Sequence, residues 1–102
     1  MLSLVFSYDA RDPEEFEQVY GPEGDWAAFF RRGSGYVGTE LLRDVEIPGR
    51  YVVVDRWEPE TYQAFVDANR EEYMRRVDET AFHYLQELRL GTFENVWVSP
   101  NG

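Results

Sequence analysis

The sequence predicts an α+β fold of the ferredoxin-like kind, a β-α-β-β-α-β chain with its helices on one face of an antiparallel sheet. Three observations carry that reading. Leu2 to Tyr8 alternates Leu2, Leu4, Phe6 and Tyr8 against Ser3, Val5 and Ser7, the period-two pattern of a strand. Tyr51-Val52-Val53-Val54-Asp55-Arg56-Trp57 sets consecutive valines between aromatics, which suits a pleated, buried surface better than a helix. Each of these strands is followed by a stretch with helical start signals and a helical apolar stripe.

After the first strand, Asp12-Pro13-Glu14-Glu15 reads as an N-cap, a first helical position and a capping box. Phe16, Val19 and Tyr20 give that helix its apolar side. Gly21-Pro22-Glu23-Gly24 breaks it, and Asp25 is placed to cap a short second helix with Trp26, Phe29 and Phe30 on one face before Gly33. Tyr36 to Glu46 is the second strand, and Pro48-Gly49 has the residue order of a tight turn into the third. A two-residue loop would align Glu40, Asp44, Glu46 and Asp55 on one face. An odd loop instead sets Leu41, Arg43 and Val45 beside Val53, Asp55 and Trp57, and it is preferred because it avoids a row of like charges and brings Arg43 toward Asp55.

Pro59 fits the first position of the next helix. Its stripe runs through Tyr62, Phe65, Val66, Asn69, Tyr73, Val77, Ala81, Tyr84, Leu85 and Leu88. One helix over that span would be about 40 Å long at roughly 1.5 Å per residue, far longer than the strands, so a break is expected near Asn69-Arg70 or Val77-Asp78. Leu88 to Val98, with Phe93, Val96 and Trp97 and the interruption Gly91, is the last strand, and Ser99 to Gly102 frays. Both faces of the third strand are apolar, Val52 and Val54 on one side and Tyr51, Val53 and Trp57 on the other. The simplest cover for the outer face is the sheet of a second subunit.

Length and charge bound the function classes. A chain of 102 residues is one domain, residues 1–102, marginal in size unless it associates. Twenty Asp and Glu against ten Lys and Arg give a formal net charge of −10, so nucleic acid and anionic membrane partners are not expected. The lack of cysteine removes thiol nucleophiles and thiolate metal sites and fits a reducing cytoplasm. Met1 to Asp9 has no basic residue or long apolar run, so neither a signal peptide nor a membrane span is expected. Aromatics at 17% are an excess that a core, an interface or a ligand pocket must absorb.

Gly35-Tyr36-Val37-Gly38-Thr39-Glu40-Leu41-Leu42-Arg43-Asp44, the hairpin, and Arg50 to Glu58 followed by Tyr62-Gln63-Ala64-Phe65 together make the chain resemble the antibiotic biosynthesis monooxygenase family of dimeric α/β barrels. The resemblance covers nearly the whole chain. It implies a homodimer and, among characterised members, cofactor-free oxygenases of aromatic polyketides, small quinol oxygenases or haem-degrading enzymes. Members often carry histidines on the helix after the strand-ending tryptophan. Here Tyr62 to Tyr73 has none, which counts against haem ligation, while Trp57 matches the cavity-lining tryptophan of the pattern.

Among candidate groups, His83 is the only histidine and falls with Glu72, Arg76 and Glu79 on the polar side of the helical stripe, so it reads as solvated. Glu71-Glu72 and Asp78-Glu79 are adjacent pairs that do not converge on one helical face. Asn69 sits in the apolar stripe, where an amide needs a partner; it either orients a substrate oxygen or a peroxide, or bonds nearby backbone at the helix break. Asp55 is either a base in a dry cavity or, the commoner fate of a strand carboxylate, paired with Arg43 or Arg56.

The resulting expectation is a slot walled by Trp57, Phe65 and Tyr73 with Asn69 as its polar point. Asn69, Trp57 and Tyr73 are the candidate catalytic residues, and Trp57, Phe65, Tyr62 and Asp55 the candidate substrate-binding ones. The leading function is a monooxygenase that uses no metal, flavin or haem and joins molecular oxygen to an electron-rich phenol or quinol. A non-catalytic dimeric binding module and a haem-binding or haem-degrading protein are the alternatives.

Overall fold

The structure, a computed structural model, describes residues 1–96. Its elements run β1 (Leu2–Ala10), α1 (Pro13–Tyr20), α2 (Asp25–Phe30), β2 (Tyr36–Arg43), β3 (Arg50–Trp57), α3 (Thr61–Ala68), α4 (Arg70–Thr80), a 3₁₀ turn (Ala81–His83) and β4 (Tyr84–Glu94). The four strands form one antiparallel sheet in the order β2-β3-β1-β4. That is the ferredoxin-like arrangement the sequence predicts. No helix among the described residues is long and apolar enough to cross a membrane.

Local chemistry explains most boundaries. Asp12 caps α1, its Oδ1 accepting from the backbone N–H of Glu14 and Glu15, with Pro13 at the first helical position. Asp25 is not a cap: Gly24 holds that place in extended backbone and Asp25 is the first residue of α2. β2 stops at Arg43 rather than Glu46, because Asp44 Oδ1 turns back to accept from the N–H groups of Glu46 and Ile47. The chain then reverses through Ile47-Pro48-Gly49-Arg50, with Arg50 N–H on Ile47 O at 3.2 Å and Gly49 at φ 83°, where only glycine is unstrained. Leu41 pairs with Val53 and Arg43 with Tyr51, so the hairpin has the odd parity expected. Pro59 precedes α3 instead of starting it. The chain turns at Glu60 (φ 70°), and Thr61 opens the helix with its Oγ1 donating to Glu58 O.

The long apolar stripe breaks at Asn69, one of the two expected places. Its second half is corrected by the structure, since Tyr84, Leu85 and Leu88 lie on β4 and not on a helix. Along the β1 edge, Leu2 to Ala10 needs a partner for its backbone groups, and β4 supplies it from Ala10↔Tyr84 to Leu2↔Glu94. Trp97 and Val98, assigned to that strand from sequence, and the fraying expected of Ser99 to Gly102 lie outside the described residues.

The inner face of the sheet and the helices share two apolar clusters. Tyr8, Phe16, Val19, Tyr20, Tyr51 and Val53 centre one. Leu4, Phe29, Phe30, Trp57 and Phe65 centre the other. Gly35 permits the approach of β2 to α3: a Cβ there would stand 2.0 Å from Thr61 Oγ1. Gly35→Ala is therefore expected to shift the urea midpoint down by the equivalent of about 2 kcal/mol or more, while Ser34→Ala at the exposed neighbour stays within about 0.5 kcal/mol.

Candidate active site

Between the sheet and the helices lies a cavity of about 150 Å³. Its floor is the inward side of two strands, Leu4, Phe6 and Tyr8 of β1 with Val53 and Asp55 of β3. Tyr20, Trp26, Phe30 and Tyr62 wall it, Tyr73, Val77 and Thr80 of α4 roof it, and Tyr84 and Glu87 of β4 close its far edge. The roof is tied down by polar contacts. Trp26 Nε1 donates to Thr80 Oγ1 at 3.3 Å and Tyr20 Oη to Thr80 O at 3.4 Å. Glu72 of α4 takes two bonds from Arg32, at 2.8 and 2.9 Å, and one from Arg76 Nε at 3.0 Å, with which it is ion-paired. Those guanidinium groups hold its carboxyl down at about 2.

Asp55 is the chemical centre of this arrangement. It is 9% exposed, and neither expected arginine reaches it. Arg43 turns to Glu17 at 2.7 Å, which also accepts from Tyr51 Oη, and Arg56 bonds Glu40 at 2.9 Å on the opposite face of the sheet. Parity put Arg43 on the right face, but its pairing with Tyr51 sets it four residues away from Asp55 along β3. Thr39, directly opposite Asp55, donates its hydroxyl to Asp55 Oδ1 at 2.6 Å. The Thr39 hydroxyl in turn lies 2.5 Å from Tyr36 Oη. Burial pushes the Asp55 carboxyl up from 3.8 to about 6, against the opposing pull of the Thr39 bond. Such a group is ionised at neutral pH and still basic enough to take a proton.

The surrounding phenols stay protonated. Burial raises Tyr20 to about 12 and lifts Tyr8, Tyr62 and Tyr84 above the ordinary tyrosine value. Tyr62 Oη and Tyr73 Oη are 3.3 Å apart at the cavity wall.

Of the residues singled out from sequence, Tyr62, Tyr73 and Asp55 come together in this cavity. Trp57, Phe65 and Asn69 do not line it. Trp57 is fully buried, packed at 5.3–5.5 Å between ring centroids against Phe30, Tyr36, Tyr62 and Phe65, and its Nε1 has no hydrogen-bond partner among the described residues. Phe65 belongs to the same cluster. Asn69 takes the backbone role: its Nδ2 donates to Phe65 O at 2.9 Å, and its own carbonyl accepts from Tyr73 N–H. It thereby ends α3 and starts α4. The stripe misled because residues on both sides of the break share a periodicity but not an axis.

His83 closes the 3₁₀ turn, half-buried, its ring 4.0 Å from that of Phe82, and is not among the cavity residues. No group of three or more His, Asp or Glu among the described residues is arranged to hold a metal ion. Thr39 and Glu87 were missed. Thr39 was legible only through the exact register of the hairpin, and Glu87 was hidden because its segment reads as helix.

No family model and no curated protein sequence matches the chain. Solved structures do. SnoaB, a cofactor-independent oxygenase from Streptomyces nogalater, superposes in one structure with a TM-score of 0.79 at 22% identity, over 97% of this chain and 96% of that one. The fold is that of the antibiotic biosynthesis monooxygenases. A Nitrosomonas europaea protein placed among the antibiotic biosynthesis monooxygenases matches with a TM-score of 0.66 at 14% identity, over 95% of this chain and all of the other. One from Bordetella bronchiseptica matches at 0.62 and 22% identity, over 94% and 97%. What the chain shares with them is the β-α-β-β-α-β frame.

The Thr39–Asp55 bond sets the basicity of the site. Removing it with Thr39→Val takes away a donor that favours the charged carboxylate, so Asp55 titrates higher, by about one pH unit. A ¹³C NMR titration of the Asp55 carboxyl checks this, and an unchanged midpoint would mean the bond is absent in solution.

Proposed function

We propose that the protein is a cofactor-independent monooxygenase acting on an electron-rich phenol or quinol, and that it belongs functionally with the antibiotic biosynthesis monooxygenases whose fold it has. The observation that carries the reading is the Asp55 carboxylate, buried without a cation on the floor of an aromatic cavity. Asp55 takes the phenolic proton. The resulting phenolate is the reductant, passing an electron to molecular oxygen, and the pair recombines at a ring carbon as a peroxide. The peroxide takes back the proton from Asp55. Loss of the ring hydrogen as a proton, together with hydroxide, then leaves a quinone and one water, so that one oxygen atom enters the product. The protein's part is to exclude water, hold the ring and move the proton.

Tyr73 and Tyr62 supply hydroxyl donors at the wall for the oxygenated intermediate. Trp57 and Phe65 hold β3 and α3 in place behind the wall, and Asn69 directs α4 across the roof. An oxygen electrode with an electron-rich phenol reads the activity directly. The expected result is oxygen uptake that falls below pH about 6 and drops about 100-fold or more in Asp55→Asn. No uptake by the wild type across a series of such phenols, or full activity in Asp55→Asn, would remove the proposal.

The assembly is part of the same reading. Val52 and Val54 of β3, Leu42 of β2, and Leu88 and Phe93 of β4 share the sheet face away from the helices. Leu42, Leu88 and Phe93 are 45%, 55% and 50% exposed. A face of this kind is covered in a closed dimer built sheet to sheet. Light scattering is expected to give twice the 12.0 kDa chain mass, and Leu88→Glu is expected to return the protein to a monomer.

A further inference from the structure

Glu87 is the one cavity-lining residue that is exposed, so it stands where the cavity meets solvent. A register shift between Asp9 and Ala10 puts it there. Ala10 pairs with Tyr84 and Asp9 with Gln86, so Tyr84 and Glu87, three residues apart, face the same side. Burial first and the negative charge of Glu87 second hold the Tyr8 phenol protonated. Asp55 sits deep at the other end, opposite Leu4 on β1, while Glu87 is opposite Tyr8. Strand spacing and rise set their Cα atoms about 16 Å apart across the sheet.

Among the described residues no lysine, arginine or histidine lines the cavity. The charge of Arg89 is felt at Tyr62, but its guanidinium donates to Thr92 Oγ1 at 2.7 Å. Tyr20 Oη is engaged with Thr80 O, and the Tyr62–Tyr73 pair leaves one hydroxyl to donate, which is a neutral donor and not a cation. A cavity near 150 Å³ matches a single aromatic ring.

We infer that the site takes an uncharged hydroxylated aromatic of about one ring and rejects its carboxylated analogues, with Glu87 at the mouth setting this charge selection. The inference rests on the cavity being the substrate site. Two carboxylates and no lining cation leave an anionic substituent unpaired wherever it lies, and an anion entering past Glu87 is repelled at close range. The net charge of −10 acts in the same direction at longer range and is screened by salt.

The test uses 3,5-dihydroxybenzamide and 3,5-dihydroxybenzoate, nearly equal in size and different in charge, titrated calorimetrically into the whole protein at neutral pH and about 0.15 M salt. The amide is expected to bind at least about tenfold more tightly, and Glu87→Gln to narrow the gap by about tenfold with an unchanged melting temperature. Glu87→Ala serves the same purpose should the glutamine variant not fold. Equal affinities in the wild type, or a gap that neither variant narrows, would overturn the charge selection and leave the cavity as the site. Failure of both compounds to bind would remove the cavity as the substrate site and this inference with it.

Discussion

A carboxylate held away from water is costly unless its surroundings compensate, and Asp55 has one neutral hydrogen bond in a wall of aromatic rings. Its raised pKa is the signature of that cost. Because the folded value lies above the unfolded one, the fold is favoured with the group protonated, below pH about 4, and loses that advantage as pH rises through about 6. At neutral pH the protein carries a penalty of about 2–3 kcal/mol for keeping the site charged. The aromatic packing around it must offset this. Rings from β1, β3, α1, α2 and α3 pack in two networks, one holding Tyr8–Phe16 at 5.2 Å and the other Trp57–Phe65 at 5.4 Å. The cavity takes its lining from both, with Asp55 at its base.

How far the molecule could be read from its residues depended on the range of the interaction concerned. Caps, turns and alternation are local, and Asp12, Pro13, Gly49 and the Leu2 to Tyr8 pattern all led to the right elements. Parity along the hairpin followed from avoiding like charges. Which residue stands opposite Asp55 needs the register itself, and register depends on a loop whose length is set by Asp44 bonding its own turn. The change from helix to strand at Tyr84 was hidden for a related reason. The segment from Tyr84 to Leu88 fits a helical stripe as well as a bulged strand, and only the unpaired edge of β1, more than seventy residues earlier in the chain, decides between them. The resemblance to a known family supplied the frame and pointed to Trp57, while the apolar stripe pointed to Asn69. Here those residues stand behind the site rather than in it.

The roof helix α4 differs from the other three α-helices in having no buried residue. It is held at one end by the Asn69 junction and at the other by the bonds to Thr80, and along its length by the Arg32–Glu72 pair, by Arg76 over the Phe29 ring and by half-buried Tyr73 against Trp26. Segments secured in this way exchange their amide hydrogens through local opening, at a free energy well below that of global unfolding. Opening of this one helix is then expected to widen the cavity from above, beyond the mouth at Glu87, while the sheet and the aromatic clusters beneath stay closed.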